Sequence, residues 1–362
     1  MTSAHLQAKE KRILIMAAGT GGHVYPALAT AEVLLSHGWE VEWLGTGKGI
    51  EARLVLEAGL VLNCIDVVGL RGKGKVSLLL APWRLFKSLL QSVKLIRRFK
   101  PDCVLGMGGF VAGPGGLAAK LLGVPLILHE QNAIPGLTNR LLRPFANRTL
   151  QAFPGSFSDG QAITVGNPLR SNIIPDQSDQ SDQCGLRVLI IGGSLGALAL
   201  NELVPKAMAL LSFEERPQIW HQTGPQHQAV TQCGYDKAGV DATVDAYIND
   251  MGPAYAWANL VICRAGALTI SELAGAGVAS ILVPYPYAVD DHQTANAKVL
   301  SSKSAAIILP QGQLSPALLS DHIRALHSHP STLKNMAEAA LTCASSKASY
   351  TVAQHCMEIT RG

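Results

Sequence analysis

The stretch from Arg12 to Pro26, RILIMAAGTGGHVYP, decides the fold. Its apolar run from Arg12 to Ala18 reads as a buried strand. Gly19-Thr20-Gly21-Gly22-His23 reads as a tight turn, and Pro26 suits the first turn of a helix. Ala27, Leu28, Ala31, Leu34 and Leu35 then recur on one helical face. Strand, glycine loop and helix open a parallel sheet that helices cover on both sides. Further strand-like runs lie at 41–44, 61–67, 103–107 and 124–129.

The pattern restarts in the second half. Residues 186–191 are apolar, Gly192-Gly193-Ser194-Leu195-Gly196 follows, and Leu200, Leu203, Val204, Ala207 and Leu211 mark a helix. Strands are predicted at 218–221, 243–246, 260–263, 280–283 and 306–309. Two such openings predict two Rossmann-like domains in tandem. The length agrees, because 362 residues exceed the ~250–300 at which one hydrophobic core stops growing. The polar repeat DQSDQSDQ at 176–183 has nothing to bury and reads as a surface loop at or just beyond the boundary. From about Ser345 the chain is amphipathic enough for a final helix.

With 48% apolar and 15% charged residues, the chain is too apolar for disorder and too interrupted by glycine and proline for a coiled coil. Its first dozen residues are polar and charged, so no secretion signal is expected before the first strand. No apolar run approaches the ~18 residues of a membrane-spanning helix. Seven scattered cysteines without a C-x-x-C pair fit neither a disulfide framework nor a zinc site. Charge is uneven: residues 1–168 hold 18 basic and 10 acidic side chains, and the remainder 12 and 16. Nine of those basic residues fall at 71–100, which contains no Asp or Glu, so the basic excess is one local patch seeking a local anionic partner.

Glycine turns between strand and helix let a phosphate approach free backbone N–H groups. Three occur, at 19–22, 106–116 and 192–196. None fits the dinucleotide pattern G-x-G-x-x-G, and no G-x-x-x-x-G-K-[ST] is present. A fourth candidate is Arg264-Ala265-Gly266-Ala267-Leu268-Thr269-Ile270-Ser271-Glu272: a helix start that would hold a diphosphate, with hydroxyls at Thr269 and Ser271 and Glu272 placed to meet a ribose. His23, at the opening of the first helix, could take a proton from an attacking hydroxyl. His129-Glu130-Gln131-Asn132 ends an apolar strand where open α/β sheets place ligands. Asp290-Asp291-His292-Gln293 with Asn296 offers partners for sugar hydroxyls. No Asp-x-Asp occurs, so helix termini and groups such as Arg170 are expected to neutralise a leaving diphosphate in place of a metal.

Within the basic patch, Arg71-Gly72-Lys73-Gly74-Lys75 precedes an apolar run ending at Trp83. Pro82 can open a helix with Phe86, Leu89, Leu90, Val93 and Ile96 on one face and Arg84, Lys87, Lys94 and Arg98 off it. Apolar residues ringed by Lys and Arg suit shallow insertion beside anionic headgroups. Nucleic acid fits poorly, because the patch lacks interleaved aromatics and the second half is acidic.

These motifs resemble the MurG family of bacterial cell-wall glycosyltransferases nearly end to end: GTGGH (19–23), GLRGKG (69–74), GMGGFVAGPGG (106–116), HEQN (129–132), GNPLR (166–170), GGSLGA (192–197), ALTISE (267–272) and DHQTANA (291–297). The resemblance implies an α/β GT-B fold, two Rossmann-like domains facing a central cleft. It divides the chain into an acceptor and membrane-associating domain at 1–168, with 346–362 packing back on it, and a UDP-GlcNAc-binding domain at 169–345. Donor contacts are implied at Thr20, Gly21, Gly22, Asn132, Arg170, Ser194, Ile248, Ala267, Leu268, Thr269, Ile270, Ser271, Glu272 and Gln293, that of Ile248 through backbone at the uracil edge. The implied acceptor is lipid I (undecaprenyl-pyrophosphoryl-MurNAc-pentapeptide), its diphosphate against the first two glycine loops. The implied site is peripheral, on the anionic cytoplasmic face of the inner membrane, without metal or cofactor.

The expected reaction is inverting transfer of GlcNAc from UDP-GlcNAc to the muramyl 4-hydroxyl, giving lipid II. His23 is the first candidate for general base and Glu130 the rival. Closure of the domains would complete the site. Two alternatives stand beside it: a UDP-GlcNAc 2-epimerase of the same fold, which needs no lipid site, and a non-catalytic nucleotide-sugar-binding subunit.

Overall fold

The computed structural model describes residues 10–67, 81–173, 175 and 185–360. The basic run 71–75, with the rest of 68–80, and the polar repeat at 176–183 lie outside the described residues. The chain forms two compact units, Met1–Arg170 together with Lys347–Gly362, and Ser171–Ser346.

The first unit runs β1 (Arg12–Met16), α1 (Gly21–Ser36), β2 (Glu40–Gly45), α2 (Glu51–Glu57), β3 (Val61–Cys64), α3 (Ala81–Phe99), β4 (Cys103–Gly106), α4 (Ala112–Leu121), β5 (Leu126–Glu130), α5 (Leu137–Leu142), β6 (Arg148–Gln151) and β7 (Ile163–Thr164). The second runs β8 (Arg187–Ile191), α6 (Leu198–Met208), β9 (Gln218–Gln222), α7 (Gln228–Ala238), β10 (Thr243–Asp245), α8 (Met251–Trp257), β11 (Leu260–Cys263), α9 (Ala267–Ala276), β12 (Ala279–Leu282), α10 (His292–Ser301), β13 (Ala306–Ile308), α11 (Pro316–Ser328) and α12 (Pro330–Leu341). Helix α13 (Ala348–Glu358) belongs to the first unit.

Both sheets are parallel, in the orders β3-β2-β1-β4-β5-β6-β7 and β10-β9-β8-β11-β12-β13. Strand order reverses between β1 and β4 and again between β8 and β11. Open α/β sheets bind ligands beyond the carboxyl ends of strands at such switch points. The loops there are those from Gly19, Gly106, Gly192 and Arg264.

Strand β1 shows why the sheet is buried on both sides, since successive side chains point to opposite faces. Ile13 and Ile15 pack with Val24, Ala27, Ala31 and Leu34 of α1 and with Val352, Ala353 and Cys356 of α13. Leu14 and Met16 pack with Leu95, Ile96 and Phe99 of α3 and Ala118 and Ala119 of α4. In the second unit Val188 and Ile190 share a core with Leu200, Val204 and Ala207.

Two expectations are corrected, and the covered face of α3 is added to them. Helix α1 starts at Gly21, five residues before Pro26, because His23 and Val24 donate their N–H groups to the Thr20 carbonyl. Strands β6 and β7 extend the first sheet beyond the expected runs, and β3 stops at Cys64. On α3 the covered face consists of Ser88, Ser92, Leu95, Ile96 and Phe99, while Phe86 and Leu90 are exposed. Ser88 and Ser92 can be buried because each hydroxyl donates to a carbonyl four residues back, Arg84 and Ser88 respectively.

Candidate active site

At the first switch point, α1 begins without a side-chain cap, Thr20 being extended at φ −109° and ψ 159°. Thr20 is exposed; Gly21, Gly22 and His23 are half-buried. The Arg170 guanidinium lies 4.7 Å from the Tyr25 ring centroid. Gly21 stays small because a Cβ there would sit 3.1 Å from that ring. Behind the loop, the fully buried Glu51 accepts from the N–H of Gly19 (3.2 Å) and from the amide (3.2 Å) and hydroxyl (2.6 Å) of Thr46. Gly19 therefore gives its amide to a carboxylate.

His23 is the end of a hydrogen-bonded series. Its Nδ1 donates to Gln131 Oε1 at 2.9 Å, Gln131 Nε2 donates to His129 Nδ1 at 3.1 Å, and His129 Nε2 donates to the Gly166 carbonyl at 2.9 Å. Burial pushes the His129 imidazole down to about 4, so it is neutral at pH 7. Gly108, from the loop after β4, holds φ +91°, and a Cβ on it would come 2.9 Å from His23 Cε1 and Nδ1.

Glu130 is buried, and four N–H groups occupy its two oxygens. Oε1 accepts from the Asn132 amide (3.0 Å) and Asn132 Nδ2 (3.1 Å); Oε2 accepts from the Gly136 amide (3.1 Å) and Asn139 Nδ2 (2.8 Å). Each carboxylate oxygen has two lone-pair directions, so the arrangement anchors the loop 130–139. Asn132, half-buried, is held by this anchor and by the Ser156 hydroxyl on its carbonyl.

The second unit gathers another set. Gly192, Gly193 and Gly196 let the loop after β8 curl back on itself, with the Gly196 amide on the Gly193 carbonyl at 2.9 Å. Gly196 has φ +79°, and a Cβ there would overlap the Thr223 carbonyl. Ser194 is exposed at the loop tip. Helix α9 begins at an extended Gly266 without a side-chain cap, and the Thr269 hydroxyl lies over it, 3.7 Å from where a Cβ would stand. The Ala265 peptide is clamped by α10: its N–H donates to Gln293 Oε1 (3.2 Å) and its carbonyl accepts from Asn296 Nδ2 (3.2 Å). Gln293 Oε1 also accepts from the Tyr285 amide at 2.8 Å, which commits its oxygen to backbone. Glu272, buried, accepts from the Tyr255 hydroxyl at 3.0 Å.

The structure thus brings Thr20, Gly21, Gly22, His23, Glu130, Asn132 and Arg170 to the carboxyl edge of the first sheet. It places Ser194 and the run from Ala267 to Glu272, with Gln293, at that of the second. Ile270 is 0% exposed and lies in the core, and the Ile248 side chain is 6% exposed, which leaves backbone as its means of contact. Two positions take a different character from the one the sequence suggests. The Ser271 hydroxyl donates to the Ala267 carbonyl at 3.1 Å. Asn296, expected to face sugar hydroxyls, is fully buried and positions Ala265. Glu51, Tyr25 and Asn139 did not stand out in the sequence, and only the glycine turn before Glu51 hinted at its place. Among the described residues no group of three His, Cys, Asp or Glu side chains is arranged to hold a metal.

Residues 13–151 match the glycosyltransferase family 28 N-terminal domain and residues 187–355 its C-terminal domain. The chain is 51% identical over 352 residues to the UDP-N-acetylglucosamine–N-acetylmuramyl-(pentapeptide) pyrophosphoryl-undecaprenol N-acetylglucosamine transferase of Azotobacter vinelandii, covering 97% of this chain and 99% of that one. It belongs to the MurG family. The crystal structure of Acinetobacter baumannii MurG superposes with a TM-score of 0.81 at 41% identity, covering 96% of this chain and 99% of that one. A UDP-GlcNAc 2-epimerase from Neisseria meningitidis superposes at 0.67 with 10% identity, covering 96% and 100%, a likeness of fold alone. The two Rossmann-like units are those of the GT-B architecture, and full-length identity favours the MurG transferases over the epimerases.

Proposed function

We propose that this chain transfers N-acetylglucosamine from UDP-GlcNAc to the muramyl 4-hydroxyl of lipid I, making lipid II for peptidoglycan. The observation that carries the reading is full-length identity, 51%, to a transferase of that name. The geometry supports a route. His23 Nε2 takes the proton of the acceptor hydroxyl as its oxygen bonds to C1 of GlcNAc, opposite the diphosphate. The C1–oxygen bond breaks, its electron pair leaves on UDP, and the anomeric centre inverts from α to β. Glu130, its oxygens occupied by four N–H groups, positions Asn132 in place of acting as base. The uncapped start of α9 and the 192–197 loop supply amide groups for the diphosphate, a terminus equivalent to roughly half a positive charge. Arg170 and the NH2 of Gln293 add donors. In this reading the first unit takes the acceptor and the second most of the donor.

The same proposal places the protein peripherally on the anionic cytoplasmic face of the inner membrane, through α3. Trp83, Leu85, Phe86 and Leu90 are exposed there, Trp83 and Phe86 with ring centroids 6.0 Å apart. The fold tempers the charge of this patch, because Lys87 pairs with Asp66 and Arg98 with Glu42, both at 2.7 Å. No helix among the described residues is long and apolar enough to cross a membrane.

The test is purified protein with UDP-GlcNAc and a short-chain lipid I analogue in chelator. UDP release that requires the analogue supports transfer. Donor turnover without an acceptor would indicate epimerisation, and tight donor binding with no turnover a non-catalytic subunit.

A further inference from the structure

We propose that Gln131, backed by His129, is a positioning residue that holds His23 in the tautomer with its proton on Nδ1, so that the Nε2 lone pair is the one presented to the acceptor hydroxyl. The proposal rests on the reading of His23 as the base.

Each proton in the series is fixed by the one before it. The Gly166 carbonyl can only accept, so the hydrogen of neutral His129 is on Nε2, and its Nδ1 is an acceptor. Gln131 Nε2 lies 3.1 Å from that Nδ1 and 3.3 Å from the His129 carbonyl, two acceptors that require the amide NH2 to face them. The Gln131 carbonyl oxygen is thereby turned to His23, 2.9 Å from Nδ1, and an oxygen there demands a hydrogen on that nitrogen. Gln131 is 1% exposed and its backbone carbonyl accepts from Asn167 Nδ2 at 3.1 Å, so the amide has no water to rotate into. Gly108 packs beside this contact, where a Cβ would come 2.9 Å from His23 Nδ1 and 3.5 Å from Gln131 Oε1. Either the other tautomer or a flipped imidazole would leave the buried Gln131 oxygen without a donor. An amide orients the ring without adding a charge beside it, unlike a carboxylate partner.

The first test needs only the intact wild-type protein. Long-range proton–nitrogen NMR of the histidine-labelled chain, with His23 assigned by its loss in His23→Gln, is expected to show a protonated Nδ1 and a bare Nε2. A proton on Nε2 overturns the proposal. Gln131→Met keeps the side-chain volume and removes all three side-chain hydrogen bonds. It is expected to give a mixture of His23 tautomers and to lower kcat about tenfold, the change when a hydrogen bond of about 1.4 kcal/mol stops selecting a state, with KM for UDP-GlcNAc within about twofold. Gln131→Glu retains an oxygen for His23 and should keep more of kcat than Gln131→Met. A Gln131→Met protein with one tautomer and unchanged kcat refutes the assignment; should that variant fail to fold, the wild-type spectrum decides. A protein with the expected tautomer that transfers no GlcNAc would sink the functional reading while leaving the relay intact.

Discussion

Replacing Glu130 by glutamine separates a scaffold from a base. The carboxylate serves four N–H donors, two on each oxygen. A glutamine offers one oxygen, so in either orientation two donors face an NH2 group. Each buried donor left without a partner costs ~1–3 kcal/mol, and charge-assisted bonds are replaced by neutral ones, so about 3 kcal/mol of stability should be lost. The loss falls on the first unit, and for a body of that size it lowers the melting temperature by roughly 6–12 °C. Calorimetry should show the transition of the first unit moving and that of the second standing still. The pH dependence of kcat should keep its shape. His23→Ala should do the reverse, with kcat down by ~10²–10⁴ and melting little changed. If Glu130→Gln instead melted like wild type while losing kcat by that factor, the scaffold reasoning would be wrong and the carboxylate would be the base.

Three other outcomes follow from the packing. His129 and His221 are held neutral by burial, at about 4 and about 3, below the unfolded value. Their contribution is complete above the unfolded pKa of about 6.5 and declines as pH falls, by about 3 kcal/mol each at pH 4, so both melting transitions should drop between pH 7 and 4; flat transitions would contradict this. Gly193 and Gly196 both have positive φ, but a Cβ at Gly193 meets nothing within 4 Å whereas one at Gly196 overlaps Thr223. Gly193→Ala should therefore cost the second unit ~1–2 kcal/mol and Gly196→Ala considerably more, read by the same calorimetry; equal losses would refute the loop geometry. Replacing both Trp83 and Phe86 by serine should weaken sedimentation with anionic vesicles at least about tenfold without altering UDP-GlcNAc affinity, since each ring supplies ~1–2 kcal/mol of burial; undiminished binding would move the membrane contact elsewhere.

How much of this was legible in the sequence depended on whether the signal was local. The strand–glycine–helix openings at Arg12 and Arg187 are runs of adjacent residues, and both sheets grow from them. Strands β6 and β7 escaped because three of the four residues of RTLQ are polar and Ile163–Thr164 is two residues long, too short for a period to show. The covered side of α3 was not legible, because it includes the hydroxyl residues Ser88 and Ser92, which an apolar pattern passes over. The patch looked wholly basic because Asp66 and Glu42, which pair with Lys87 and Arg98, lie outside the segment. In the site, a helix opening marked His23, and the end of a strand marked Glu130 and Asn132. The partners of Glu130 lie within nine residues of it, but Gln131 is 108 residues from His23, and Gln293 is 28 from the Ala265 amide it holds. Spacing within a motif cannot reveal such pairings.

The identity of the product is the most direct test of the transfer reaction. Purified protein incubated with UDP-GlcNAc and a lipid I analogue, followed by proton NMR of the isolated glycan, should show GlcNAc joined to the muramyl 4-oxygen with the β anomeric configuration. An α-linked sugar, a 2-epimerised UDP-sugar, or donor and acceptor recovered unchanged would contradict it.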